Sequence, residues 1–223
     1  MSDFAKKIQK IIISNPKRAI AFMTGMSEDY WIKEGRKKAI DNFNAAANSV
    51  PAYKDFLKQS NKANIKLESF SDFEDKVPII DKKSYLSKYR IDQVCKTDVA
   101  KNLTMVSSSG STGDPLFFML PREDLELMPA GVAAFFDYFW DLCDPNKKVL
   151  IVFSLALGMW MGGTTGIFIY KALCDRYKNM SFVIPGTDAE KVVEVLEKIG
   201  GYYDFINIVT YPSFFKTVLD IGD

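Results

Sequence analysis

The sequence predicts an α/β protein in which a helical amino-terminal region precedes a mostly parallel sheet. Residues 1–100 have helical apolar spacing with helix-capping residues, whereas residues 101–223 contain short runs of β-branched and aromatic residues. The last third alternates strand-like with helix-like segments, a pattern typical of right-handed βαβ units. We therefore divide the chain into a mostly helical region, 1–100, and a strand-containing region, 101–223.

The helices of the first region are predicted from their amino-terminal residues, since Ser, Asp and Pro favour the first turn. Acidic residues in that turn suit the helix dipole, as after Ser27. The expected helices are a short amphipathic one from Ser2 to before Pro16, one from Ser27 to about Asn48, one opened by Pro51, one around Phe70 and Phe73, and one from Asp81 to about Tyr89.

The second region begins with two strand-like runs, 103–106 and 116–120, which flank a loop rich in hydroxyl residues and glycine. We expect a β-hairpin here, followed by a helix over about 122–140. Three strand–helix pairs are then expected, with strands at 148–154, 181–184 and 205–210 and helices over about 162–174, over 188–199 and from Pro212.

A stretch of 22 uncharged residues, 149–170, is long enough to span a bilayer, and its Gly162 and Gly166 form a GxxxG pattern. Its first half is β-branched and aromatic, however, and its second half is rich in glycine. A buried strand, a glycine turn and a buried helix explain this composition better than one membrane helix. We expect a cytoplasmic protein without a membrane partner.

The composition excludes several kinds of chemistry. The chain has no histidine, so neither a Ser-His-Asp or Cys-His catalytic group nor a Cys₂His₂ or HExxH zinc site is possible within it. Its 29 basic residues against 28 acidic ones give no electrostatic reason to expect nucleic acid. Cys95, Cys143 and Cys174 are widely spaced and form no CxxC pair, so we expect reduced thiols, and we expect no metal site.

The loop at 107–115 has two interpretations. As a Ser/Gly stretch it is a flexible linker. As a phosphate cradle, its glycines let backbone amides converge, and its short hydroxyls add donors. The pattern is not a Walker A loop, which needs a lysine after its last glycine. The candidate phosphate-binding residues are Ser108, Ser109, Gly110, Ser111, Thr112 and Gly113.

Residues 108–115, Ser-Ser-Gly-Ser-Thr-Gly-Asp-Pro, resemble the signature loop of the adenylate-forming (AMP-dependent) synthetases and ligases, whose pattern is Ser/Thr-Ser/Thr-Gly-Ser/Thr-Thr-Gly-x-Pro. Three other segments are similar to the phenylacetate–CoA ligase-like branch: residues 77–86, 183–192 and 210–216. The resemblance covers the chain from about Pro78 onward, and it implies that the sheet is part of an adenylating domain.

The resemblance implies a two-step reaction. A small-molecule carboxylate attacks the α-phosphate of ATP, bound with Mg²⁺, and a thiol such as coenzyme A then accepts the acyl group. Catalysis of this kind depends on positioning and charge stabilisation, so it does not require histidine. The resemblance also suggests residues that border the acyl pocket, although Trp160 is equally explained as a core residue: Trp160, Gly162, Gly163, Tyr211, Pro212 and Ser213.

The chain departs from the family at Asp114 and Leu116, because relatives usually place a lysine within or just after the loop. A carboxylate about 4 Å from a phosphate costs roughly 1 kcal/mol in water and about 4 kcal/mol at an effective dielectric constant of 20. Either Asp114 points away from the phosphates or the affinity for ATP is reduced. Relatives also often carry a histidine after the glycine turn, where this chain has residues 164–169.

The adenine-binding, ribose-binding and Mg²⁺-binding motifs of the family, and its mobile lysine-bearing domain, are not among these 223 residues. We therefore expect the amino-terminal portion of a carboxylate–CoA ligase that is inactive alone, either a fragment or a short reading frame. The alternatives are a non-catalytic remnant that acts as a binding or assembly module, including a homo-oligomer formed through an unpaired sheet edge, and part of an acyl-protein synthetase. The carboxylic acid cannot be read from the sequence.

Overall fold

Helices make up the amino-terminal part of the chain. The structure, a computed structural model, describes residues 15–96, 103–108 and 115–222, together with Ile8, Ile11 and Asp98. Its first elements are helices α1 (Pro16–Gly25), α2 (Glu28–Ser49), α3 (Pro51–Gln59) and α4 (Phe70–Lys76), a π-helical turn (Lys82–Leu86), and helix α5 (Ile91–Val94).

These helices begin where local chemistry favours it. The Ser27 hydroxyl accepts a hydrogen bond from the Tyr30 amide, and the Asn15 side chain does the same for Arg18, which satisfies amides that lack helical partners. The helices from α2 to the π-turn enclose an aromatic core made of Phe43, Tyr53, Phe56, Leu57 and Tyr85. Edge-to-face contacts order its rings, as between Phe43 and Tyr53, whose centroids are 6.0 Å apart.

The structure adds one helix to those expected in this region and shortens another. Helix α1 was not predicted, although Asn15 as a cap and Pro16 at the first helical position signal it. The helix expected from Asp81 to Tyr89 is wrong in extent, because the chain forms only one turn with wide i to i+5 hydrogen bonds, as from the Leu86 amide to the Asp81 carbonyl. The helix expected before Pro16 lies outside the described residues.

The strand-containing region follows the predicted order with bounds shifted by one or two residues. A hairpin forms first, with β1 (Leu103–Ser107) antiparallel to β2 (Phe117–Pro121). The remaining elements are α6 (Arg122–Trp140), β3 (Val149–Phe153), α7 (Met161–Arg176), β4 (Met180–Val183), α8 (Ala189–Ile199), a 3₁₀ turn (Gly200–Tyr202), β5 (Phe205–Val209) and α9 (Pro212–Gly222).

The last three strands form a parallel sheet in the order β4-β3-β5, which confirms the expected α/β class at this level. Alternate residues of the central strand β3 face opposite sides. Val149 and Ile151 pack against α6 and α7, whereas Leu150 and Val152 pack against α8 and α9. The sheet is therefore the middle of three layers, with helices on both faces.

The uncharged stretch 149–170 comprises β3, a turn and the first part of α7. The prediction of a strand, a glycine turn and a helix is thus confirmed. Among the described residues, no helix is both long enough and apolar enough to cross a membrane.

One carboxyl group is buried on α6 without full compensation. Asp137 is 7% exposed, and its Oδ1 atom accepts no hydrogen bond within the described part of the chain. Burial raises the pKa of this carboxyl above its ordinary value, and the charge of Lys17 opposes the increase. Because the pKa of Asp137 is higher in the folded state, folding favours the protonated carboxyl. Its contribution to the free energy of unfolding is therefore present at low pH, and it is lost as the pH rises through the folded-state pKa.

We therefore expect Asp137→Asn to stabilise the protein increasingly as the pH rises, because the amide has nearly the same shape and never ionises. Urea denaturation over a series of pH values measures this difference in the free energy of unfolding. Asp220→Asn, at an exposed carboxyl on α9, is the surface control for the same chemical change. A constant difference between Asp137→Asn and the parent chain at every pH would contradict the assignment.

Candidate functional site

The hydroxyl-rich loop is closed at its base by a pair of residues. The Ser108 amide donates to the Leu116 carbonyl (2.9 Å), and the Leu116 amide donates to the Ser108 hydroxyl (3.0 Å). The two ends of the loop therefore meet at the end of the β1–β2 hairpin. Five of the six predicted phosphate-binding residues lie outside the described residues: Ser109, Gly110, Ser111, Thr112 and Gly113.

The loop base is attached to the start of α7. The Ser107 amide donates to the Met159 carbonyl (2.6 Å), and Ser107 forms a parallel bridge with Trp160, the residue before the first turn of α7. Ser107 is 1% exposed, so this attachment is buried. The hairpin is thereby joined to a distant part of the chain, and the loop emerges beside the glycine-rich start of a 16-residue helix.

The segment between β3 and α7 makes a tight turn that requires glycine. Gly158 has a φ of +103°, which side-chain-bearing residues rarely adopt, and its carbonyl accepts a hydrogen bond from the Thr164 hydroxyl. Gly163 is buried, and a Cβ atom there would collide with the backbone of Ala156. The neighbouring Gly162 is exposed, and a Cβ atom there would make only an ordinary van der Waals contact with the Leu155 side chain, at 3.8 Å.

This turn lies at the carboxyl edge of the parallel sheet. The Ser154 amide donates to the Val209 carbonyl (2.9 Å), and the Thr210 hydroxyl donates to the Ser154 carbonyl (2.8 Å), so the ends of β3 and β5 are joined. The Ser154 hydroxyl is fully buried and has no hydrogen-bond partner within the described ranges. Ligands of open parallel sheets bind outside the carboxyl ends of the strands, where the strand order reverses.

The predicted site residues are only partly brought together. Ser108, Trp160 and Gly162 belong to the joined loop base and helix start, and Trp160 is half-buried. The segment after Thr210 begins with Tyr211, which is 53% exposed, followed by the exposed Pro212 and Ser213 at the start of α9. The sheet links this segment to the turn, but no direct contact between it and Ser108 is described.

Two residues of the candidate site were not predicted, Ser154 and Thr164. A hydroxyl residue directly after a buried strand is a signal that could have identified Ser154. The role of Thr164 depends on the conformation of the turn before α7, and the helical pattern of the sequence does not reveal that conformation.

The described groups near the loop base are uncharged hydroxyls and backbone amides, and the amides of Ser107, Ser108 and Leu116 already donate to Met159, Leu116 and Ser108 respectively. Within the ranges that the structure describes, no group of three or more Cys, Asp or Glu side chains could hold a metal ion. Burial raises the pKa of the Cys143 and Cys174 thiols to about 11, so neither is a thiolate nucleophile at neutral pH.

Comparison with known proteins adds no relative. No protein-family model matches the chain, and no curated protein is significantly similar to it. The resemblance to adenylate-forming enzymes therefore rests on the sequence motifs alone.

The adjacent glycines of α7 give a matched test of this turn. We expect Gly163→Ala to lower the free energy of unfolding by about 1–3 kcal/mol, because the new methyl group must displace backbone. Gly162→Ala should leave it unchanged or raise it by up to about 1 kcal/mol, since alanine favours the helix. Urea denaturation measures both values, and equal effects of the two substitutions would contradict the described packing.

Proposed function

We propose that the chain binds the phosphates of ATP with the hydroxyl-rich loop, as part of an ATP-dependent carboxylate–CoA ligase of the adenylate-forming class, similar to phenylacetate–CoA ligases. Four motif-like segments between residues 77 and 216 support this proposal, because they follow one another along the sequence as the motifs of the family do. The position of the loop base, beside the carboxyl edge of a parallel sheet, supports it from the fold.

The observation that carries the proposal is the hydrogen bond from the Ser107 amide to the Met159 carbonyl. The two flanks of a flexible linker need not pair with each other, and neither flank needs to be buried against another element. Here the flanks close at Ser108 and Leu116, and the loop base is fixed to the start of α7. A loop held in this way favours the phosphate cradle over the linker.

In this proposal, the amides and hydroxyls of residues 108–113 orient the β- and γ-phosphates, while Mg²⁺ accompanies the phosphate oxygens. The bound triphosphate then presents its α-phosphate to a small-molecule carboxylate. The products of that step are an acyl-adenylate and pyrophosphate, and coenzyme A accepts the acyl group afterwards. A carboxylate at position 114 close to the phosphates would oppose their binding.

Thr112→Val tests the loop directly, because the substitution keeps the shape and removes one hydroxyl donor. A hydrogen bond to a charged group contributes about 1.5–3 kcal/mol, so the dissociation constant for Mg·ATP should rise by about 10- to 100-fold. Isothermal titration calorimetry measures this constant.

The control is Thr24→Val on α1, where an exposed hydroxyl donates only to the Ile20 carbonyl of its own helix. This variant should bind Mg·ATP as the parent chain does. The proposal is wrong if the parent chain has no measurable affinity for Mg·ATP, or if the two variants bind it equally.

We further expect these 223 residues to catalyse no carboxylate-dependent exchange of pyrophosphate into ATP, because the family's adenine-, ribose- and metal-binding motifs are not among them. A radiolabelled pyrophosphate assay with a panel of aromatic and fatty acids measures this. If any acid of the panel gives more exchange than the reaction without carboxylate, the expectation is wrong.

A further inference from the structure

Helices α1 and α6 pack against each other, and a groove of about 380 Å³ lies along their line of contact. The two helices run antiparallel. At one end, Lys17 of α1 pairs with Asp141, the residue after α6 (3.2 Å), and toward the other end Thr24 and Gly131 line the groove. A helix that lies in this α1–α6 groove would therefore contact both helices along its length.

The side chains that line the groove are apolar and accessible. Its buried part consists of small residues, since Ala19 and Ala134 are 0% and 4% exposed. Larger side chains flank them, and Met23 on α1 and Phe135 and Phe139 on α6 are each about half exposed. Among the described residues, no Lys, Arg, Asp or Glu side chain lines the groove. A contiguous apolar patch of this kind marks a binding surface.

The amino-terminal segment, residues 2–14, has the sequence pattern to fill such a groove. Its apolar residues Phe4, Ile8 and Ile11 follow one another at spacings of four and three, which place them on one face of a helix. Ile8 and Ile11 belong to the described residues, and both are helical and half-buried. These two side chains are therefore covered in part by other groups of the protein.

A helix in this segment needs tertiary contacts, because isolated helices shorter than about 12–15 residues are marginal in water. The α1–α6 groove is the apolar surface that follows it along the chain. Asn15 caps α1, and residues 12–14 alone separate Asn15 from the helical Ile11. Helices joined by about two to five residues form antiparallel pairs, so the segment would fold back along α1.

We propose that the α1–α6 groove binds the amino-terminal segment of the same chain, with Phe4 and Ile8 inserted between the exposed side chains of the two helices. Because the segment runs antiparallel to α1, Ile8 lies beside Ile20 and Phe4 lies beside Met23. The segment then runs in the same direction as α6 and contacts its aromatic side chains. This inference goes beyond the proposed function and does not depend on ATP binding.

The choice of this occupant follows from connectivity and from the distribution of charge. A segment joined by a short linker has an effective concentration in the millimolar range, so it excludes a separate partner of equal affinity at any lower concentration. Lys6 and Lys10 fall on the side of the helical pattern opposite Ile8, which leaves an apolar face to meet the uncharged groove.

Amide hydrogen exchange of the full chain, measured by mass spectrometry, tests the docking. Ile8→Glu would place a charge in the apolar groove and remove a buried side chain, so it should lower the protection factors of the segment's amides by about 10- to 100-fold. Gln9→Glu introduces the same side chain one position away, outside the apolar face, and should leave the protection unchanged. Circular dichroism spectra that match the parent chain establish that both variants are folded.

Cross-linking tests the register without a charged substitution. Ile8→Cys combined with Ile20→Cys should give a disulfide within one chain on mild oxidation, because facing residues of the docked helices reach the Cα separation of about 4.4–6.8 Å that a disulfide needs. Lys10→Cys combined with Ile20→Cys is the matched control and should give none. The three native cysteines are present in both variants, so they cannot cause a difference between them.

Equal protection in Ile8→Glu and Gln9→Glu would overturn the proposal, as would the absence of a disulfide between positions 8 and 20. A disulfide that forms only between molecules would assign the groove to the segment of a second copy. Sedimentation of the parent chain with phosphatidylserine vesicles, without the disulfide, would assign the segment to a lipid surface. Each of these two results would also overturn docking within one chain.

Discussion

The burial of β3 is the constraint on which the rest of the α/β region depends. All five of its residues are at most 1% exposed, so the strand must be covered on both faces. Removing each of these side chains from water stabilises the folded state by about 1.5–3 kcal/mol. This stabilisation is obtained only if helices pack closely on the sheet. Gly166 of α7 permits this approach, because a Cβ atom there would collide with the ring of Phe153.

The site at the carboxyl edge follows from the same constraint. Since α7 must return tightly over β3, the chain turns sharply between Ser154 and Trp160, using the positive φ of Gly158. This turn exposes the Met159 carbonyl to the Ser107 amide, and the hairpin is thereby fixed to the sheet edge. A loop whose base is already fixed loses less conformational freedom when it binds a ligand.

Local patterns predicted much of this fold because local chemistry determines it. Ser27 and Asp188 cap helices through their own side chains, and the β-branched run at 149–153 can satisfy its packing only as a buried strand. The π-turn was not predictable in the same way. The amides of Leu86 and Ser87 donate i to i+5 hydrogen bonds, and these close one wide turn. The apolar spacing of the sequence had predicted a longer α-helix instead.

The candidate site was predictable in composition but not in arrangement. The hydroxyl run identified the loop, and glycines marked the turn, yet the contact between Ser107 and Trp160 joins segments far apart in sequence. No periodicity encodes such a contact, because it depends on where α7 lies over the sheet. Ser154 differs in this respect, because its position directly after the buried strand β3 is visible in the sequence, and only its unpartnered burial needed the structure.

Hydrogen bonds connect the candidate site to β5 at the edge of the sheet. Thr210 directly follows β5, and its hydroxyl holds the Ser154 carbonyl, whose own amide is bonded to the last residue of β5. The end of β5 therefore helps to fix the end of β3, from which the turn that supports the loop base begins. Because an anion held by neutral hydroxyls and amides depends on the fixed geometry of its donors, the phosphate binding proposed for the loop would depend on this chain of hydrogen bonds.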